Sequence, residues 1–400
     1  MNNIAGRDQQ MKHYQEVAEY IEELYSHQDL LDESIAHQMS QAEEVSLPTS
    51  QWRLMWMKFI RNRFAVMGGI LVLLFYLGAL FADFVAPYRL DQRMTRYSFL
   101  PPQRVHFFVK GKFQPHVYDL KVGRDPLTLQ RAYVPDPEKR IPIRFFVQAE
   151  PYRLMGLIPT NRHLFGVDEG IVSLLGTDGQ GRDMFSRIIK GSQISLTIGL
   201  AGVVLSLLIG TVLGVASGYY GGWIDNLVQR LIEIVRSFPP IPLWMTLTAA
   251  LPHHWPPLWT YFTITVILSL IGWTWLARQL RGKVLALREE DFIMASRLAG
   301  ASDWWIIFWH LIPATFSHII VISTLAMPSM ILSESALSFL GLGLRPPLTS
   351  WGVLLQQAQN IQVLLLYPWL MIPGFFVAVS ILAFNFLGDG LRDAADPYTV

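Results

Sequence analysis

The sequence predicts an all-α integral membrane protein with six transmembrane helices and an outward-facing soluble insertion containing some β structure. Three observations predict it. First, 52% of the 400 residues are hydrophobic and only 16% are charged, against about 25% in soluble domains. Second, the apolar residues fall in long uncharged runs, and a bilayer core needs about 20 of them in a helix. Third, one long segment between the first two runs breaks the pattern with proline and alternating charged and aromatic residues. The net charge of +1 gives no basic field for nucleic acid, and none is expected as a partner. There are no cysteines, which excludes disulfides, thiol catalysis and cysteine-ligated metals.

Residues 1–50 form an acidic extension, with ten acids against Arg7 and Lys12. Val17, Ile21, Leu24, Leu31 and Ile35 recur at roughly helical spacing, so an amphipathic cytoplasmic helix is expected there. Its acidity argues against docking on anionic lipid, and it is expected to be dispensable for function. Residues 51–83 hold the first span, Phe64–Ala82, behind the basic flank Arg53, Lys58, Arg61 and Arg63. About 60 residues precede it and no small-residue cleavage pattern follows, so it reads as a retained span. Residues 84–190 form the insertion, large enough for a small domain. Within it "FFVKGKF" reads as a hairpin and "IPIRFFVQ" as a strand.

Residues 191–390 carry the remaining spans: Ile194 to about Tyr220, Leu227–Leu251, Leu258–Ala277, Ile312–Ser333 and Leu364–Leu387. Residues 391–400 are a tail. Arg278, Arg281, Lys283, Arg288 and Arg297 follow the fourth span, whereas "PHHWPP" after the third has no Lys or Arg and the segment between the fifth and sixth has only Arg345. Positive residues favour the inner side, so both termini and the segment 289–313 are expected in the cytoplasm. Gly210, Gly214 and Gly218 form overlapping GxxxG motifs, read either as packing within the chain or as a seam with another subunit.

The remaining motifs are weighed by their chemistry. "GTDGQGRD" lacks EF-hand spacing and is not followed by GK[ST], so it reads as a tight turn in which Asp178 and Asp183 meet Arg182 or Arg187. Glu233 and Arg236, three apart, read as a structural pair. Adjacent His253 and His254 make a poor metal site, and neither HExxH nor a P-loop occurs. No cofactor, metal or catalytic residue is expected. In "EEDFIMASRLAGASDWWIIFWHLIP" (289–313), Asp291 can cap a short helix, Gly300 can end it in a left-handed conformation, Ser302 or Asp303 can cap a second, and Pro313 falls at the mouth of the fifth span. Geometry alone leaves two readings, an interfacial helix or an element that docks a partner.

This segment resembles the EAA loop of binding-protein-dependent ABC transporter permeases. The family's acidic residue and Ala-Ala pair stand here as Asp291, Ala295 and Ser296, followed by Gly300, Ile307 and Pro313. "LLGTDGQGRDMFSRIIKGSQISL", "GYYGGWIDNLVQR", "SESALSFLGLGLRPPLTSWG" and "FNFLGDGLRDAADP" resemble, in order, segments of the C-type subunit of the oligopeptide/dipeptide branch. The resemblance implies the type I ABC importer permease fold and half of a translocation pathway. It implies four partners besides the lipid bilayer: a homologous second permease in a heterodimer, two ATP-binding subunits and an extracytoplasmic substrate-binding protein. It implies that Glu290, Asp291, Ala295, Ser296, Gly300 and Pro313 couple to an ATPase, with Ala295 and Ser296 facing its groove. Peptides are the implied cargo, with oligosaccharides or another small solute as alternatives. A self-contained channel or secondary transporter predicts inverted repeats, and an intramembrane protease predicts a nucleophile–base pair or paired aspartates within spans. Neither pattern is visible.

Overall fold

The computed structural model describes residues 51–124, 131–252, 254–345 and 347–395. The acidic helix expected in 1–50, His253 and the end of the tail lie outside them. The chain divides into two units, Met1–Met57 and Lys58–Val400. Of the first, only residues 51–57, the start of helix α1 (Gln51–Arg61), are described.

The second unit is mostly helical. Five helices among the described residues are long and apolar enough to cross a membrane. They are α2 (Arg63–Leu80), α4 (Met184–Tyr220), α7 (Pro257–Leu287), α9 (Asp303–Phe339) and α12 (Ile372–Ala395, extended by a 3-10 turn from Pro368). Asn62 starts α2, its side-chain oxygen accepting from the Phe64 and Ala65 amides at 3.1 and 3.2 Å. A four-residue helix, α3 (Ala82–Val85), follows α2.

The expected third span is instead two shorter helices, α5 (Gly222–Ser237) and α6 (Pro240–Ala249). The hydropathic run continues across the break, but the backbone does not. Pro239 and Pro240 supply no amide hydrogens, and Phe238 before them is extended at φ −86°, ψ 135°. The sixth span also begins later than expected, because Tyr367 and Pro368 separate it from a short helix, α11 (Ile361–Leu366). The fifth runs longer at both ends. Pro313 lies inside α9, directly after a wide π turn over Ile306–Leu311. The wide turn makes room for a ring that would otherwise collide with the carbonyl four residues back.

Close approach of helices depends on glycine. A Cβ at Gly214 would meet the Ala277 carbonyl oxygen at 2.6 Å, and one at Gly210 the Leu276 Cβ at 2.8 Å. The GxxxG stripe of α4 therefore packs on α7 within the chain.

The insertion carries an antiparallel sheet of β1 (His106–Val109), β2 (Lys112–Arg124) and β3 (Arg131–Pro142), and a hairpin of β4 (Arg144–Leu154) and β5 (Ile158–Gly166). "FFVKGKF" is the expected hairpin: Val109 pairs with Lys112 across Lys110 and Gly111, both at positive φ, as a two-residue type I′ turn requires. "IPIRFFVQ" is split between two strands at Ile143.

"GTDGQGRD" joins the insertion to the helices. The fully buried Asp178 accepts from the Gln180 and Arg182 amides at 2.8 and 2.9 Å, from Arg182 Nε at 2.7 Å, and from Arg187. Removing that carboxylate would leave the Arg187 guanidinium buried without a counter-charge, a loss of about 3–5 kcal/mol. Asp183 meets no arginine. It caps α4, accepting from the Ser186 amide and hydroxyl at 2.7 Å each, while burial pushes its carboxyl above the usual range.

Candidate functional site

The segment 289–313 folds as a short helix, a glycine turn and a long helix. Helix α8 covers Asp291–Leu298. Its N-cap is Glu290, and neither Glu290 nor Asp291 makes a side-chain capping bond. Asp291 is thus the first helical residue rather than the cap. Both acids still sit at the positive end of the helix dipole.

Gly300 ends α8 at φ +83°. The Gly300 amide donates to the Arg297 carbonyl at 3.0 Å, and the Ala301 amide donates to the Ser296 carbonyl at 3.0 Å. These two bonds form a Schellman cap, for which a left-handed residue is needed. Ser302, not Asp303, caps α9 and accepts from the Trp305 amide. Pro313 lies two turns or more into that helix, beyond the wide turn.

One residue fixes the face of α8. Ile293 is fully buried against Val215, Tyr219, Val284, Ile306, Ile307 and Leu311. At about 100° per residue, the opposite face is then Asp291, Met294, Ala295 and Leu298. All four are exposed, and Leu298 is 90% exposed. Ser296 is not on that exposed face, although it was expected to point the same way as Ala295. It is half-buried, donates to the Phe292 carbonyl at 2.8 Å and lies 3.2 Å from His310 Nε2.

Two contacts hold the turn to the end of α4. The Tyr219 hydroxyl donates to Asp303 at 2.7 Å, and the Arg297 guanidinium lies over the Tyr219 ring at 5.0 Å. Nearby, Arg281 grips Asp225 through two nitrogens, tying the first turn of α5 to the end of α7. The sequence reading missed Tyr219, Met294 and Leu298. The apolar residue four after another, Met294 to Leu298, was the available signal.

The other candidates resolve differently. Glu233 pairs with Arg230 at 2.7 Å, not with Arg236, and the pair is exposed. No group of three or more His, Cys, Asp or Glu that could hold a metal occurs among the described residues.

Residues 210–399 match the family described as binding-protein-dependent transport system inner membrane component. Residues 50–102 match the N-terminal transmembrane domain of oligopeptide transport permease C. The dipeptide transport system permease protein of Alkalihalophilus pseudofirmus is 41% identical over 56% of this chain and 71% of its own length. The oligopeptide transport system permease protein of Haemophilus influenzae is 42% identical over 56% of this chain and 69% of its own length. A solved methionine ABC transporter in an inward-facing conformation aligns at 19% identity and TM-score 0.40, over 53% of this chain and 97% of that one, a likeness too low to bear on the fold.

Proposed function

This chain belongs to the binding-protein-dependent transport permeases, in their oligopeptide/dipeptide branch, and from that membership we propose that it forms half of a peptide pathway through the bacterial inner membrane. Members of the family are transport subunits of ATP-driven importers. A homologous permease supplies the other half, two ATP-binding subunits engage the inner face, and an extracytoplasmic binding protein delivers the solute. The broken α5–α6 pair counts as one crossing, which makes six and puts both termini inside. The insertion then faces outward beside the pore mouth.

The observation that carries the coupling role is the outward stripe of α8. A short helix anchored by one buried isoleucine presents Met294, Ala295 and Leu298 to solvent at the head of a span. An apolar helical stripe of this spacing suits a groove in a partner. Glu290, Asp291, Ala295 and Gly300 act in this reading as docking and shaping residues, Ser296 as a support behind the docking face, and Pro313 through the wide turn. The test is reconstitution of the whole complex in vesicles. Ala295→Trp should insert and pair with the second permease yet lose uptake, with ATP hydrolysis no longer answering to the loaded binding protein. Normal coupled uptake by that variant would reduce α8 to an interfacial helix.

A further inference from the structure

A cavity of about 490 Å³ opens beside the α5–α6 break, walled by α4, α7 and α9. Ser206, Gly272 and Ser329 place it among the middle turns of those helices. Arg236 is the one charged residue lining it among the described residues. Its side chain is exposed and makes no ion pair among the described residues, where the neighbouring Glu233 is held by Arg230. Trp244 lines the same cavity, and its buried indole N–H has no acceptor among the described residues.

An arginine at this depth is costly against lipid and is therefore placed against water or a ligand. The donors left over in the cavity define that ligand. The Thr274 and Ser333 hydroxyls already donate to carbonyls of their own helices, at 2.7 Å each. What remains unspent among the described residues is the Ser329 hydroxyl, which can donate or accept, and, as pure donors, a guanidinium and an indole N–H. Their complement is a group that only accepts and carries negative charge. A carboxylate meets both conditions, and a neutral sugar or a cationic solute meets neither.

We propose that this cavity is a solute-contact site in the pathway, where Arg236, aided by the Trp244 indole, receives the terminal carboxylate of the passing peptide. The proposal rests on the peptide-permease reading above and adds the recognised group and the residues that recognise it. The α5–α6 break has a role in it. The prolines end one helix just beyond Arg236 and start the next before Trp244, so two donors from different helices reach one space.

The test compares trialanine with trialanine amide, which lacks the terminal charge. Uptake is measured in vesicles holding the complete complex and its binding protein, for wild type, Arg236→Gln, Arg236→Lys and Trp244→Phe. The binding protein is the same throughout, so any preference of its own cancels when the acid-to-amide ratio of a variant is divided by that of wild type. Arg236→Gln should lower this ratio about tenfold. Arg236→Lys should recover most of it, and Trp244→Phe should lower it less than Arg236→Gln. A ratio unchanged in Arg236→Gln, with wild-type uptake present, overturns the site alone. So does an equal loss of both probes together with release of the second permease, which would make Arg236 a partner contact. A wild-type complex that moves neither probe overturns the peptide reading itself.

Discussion

Gly300 separates backbone demand from packing demand. Its φ is +83°, yet a Cβ there would meet nothing within 4 Å. Substitution is therefore opposed by conformation alone, at about 1–2 kcal/mol for a residue that resists the left-handed region. Gly300→Val should cut hydrolysis stimulated by the loaded binding protein severely, while Gly300→Asn, which tolerates positive φ, should keep most of it. Equal loss in the two would mean that the turn's conformation is not the reason for glycine. The position was legible in the sequence because glycine before a Ser-Asp cap is local punctuation. Glu233 was not legible in the same way. Arg230 lies three residues before it and Arg236 three after, and spacing alone cannot choose between them.

Helix α8 shows what a pattern of eight residues leaves open. Phe292, Ile293 and Met294 are consecutive and all apolar, so the sequence does not say which one points inward. Burial of Ile293 decides it, and the choice turns Ser296 toward His310 and Leu298 toward solvent. The two residues should behave oppositely. Leu298→Asp should abolish stimulated hydrolysis with little effect on the fold, since the side chain is 90% exposed. Ser296→Ala removes the bond back to its own helix and the contact with His310, and should lower stability by about 1–2 kcal/mol with coupling retained. Stimulated ATP hydrolysis and thermal unfolding of the detergent-purified complex, measured together, check both. Loss of coupling in Ser296→Ala with Leu298→Asp unaffected would reverse the assigned face. The α5–α6 break had its signal in Pro239 and Pro240, but mean hydropathy over a span-length window runs straight through it.

At the scale of the molecule, composition carried the membrane class, and loop charge gives the orientation as an expectation. The helix-to-helix packing was hidden, because a glycine stripe suits a neighbour inside the chain as well as one outside. The orientation can be read directly, since the chain contains no cysteine. Lys112→Cys at the β1–β2 tip should react with an impermeant maleimide in intact cells. Glu290→Cys should react only after permeabilisation, and the reverse pattern would invert the topology. Helix α4 runs 37 residues, about 55 Å, without a break. Its C-terminal end holds the glycine turn through Tyr219, and its N-terminal end is pinned by Asp183 and the buried Asp178–Arg187 pair. Such a rod behaves as a lever. A tilt of about 5° at one end swings the other through about 5 Å, roughly one helical turn. In the proposed function a thrust on α8 tilts this rod about its pinned end without any soft joint, and the end that moves travels far enough to open or shut a path for a small molecule.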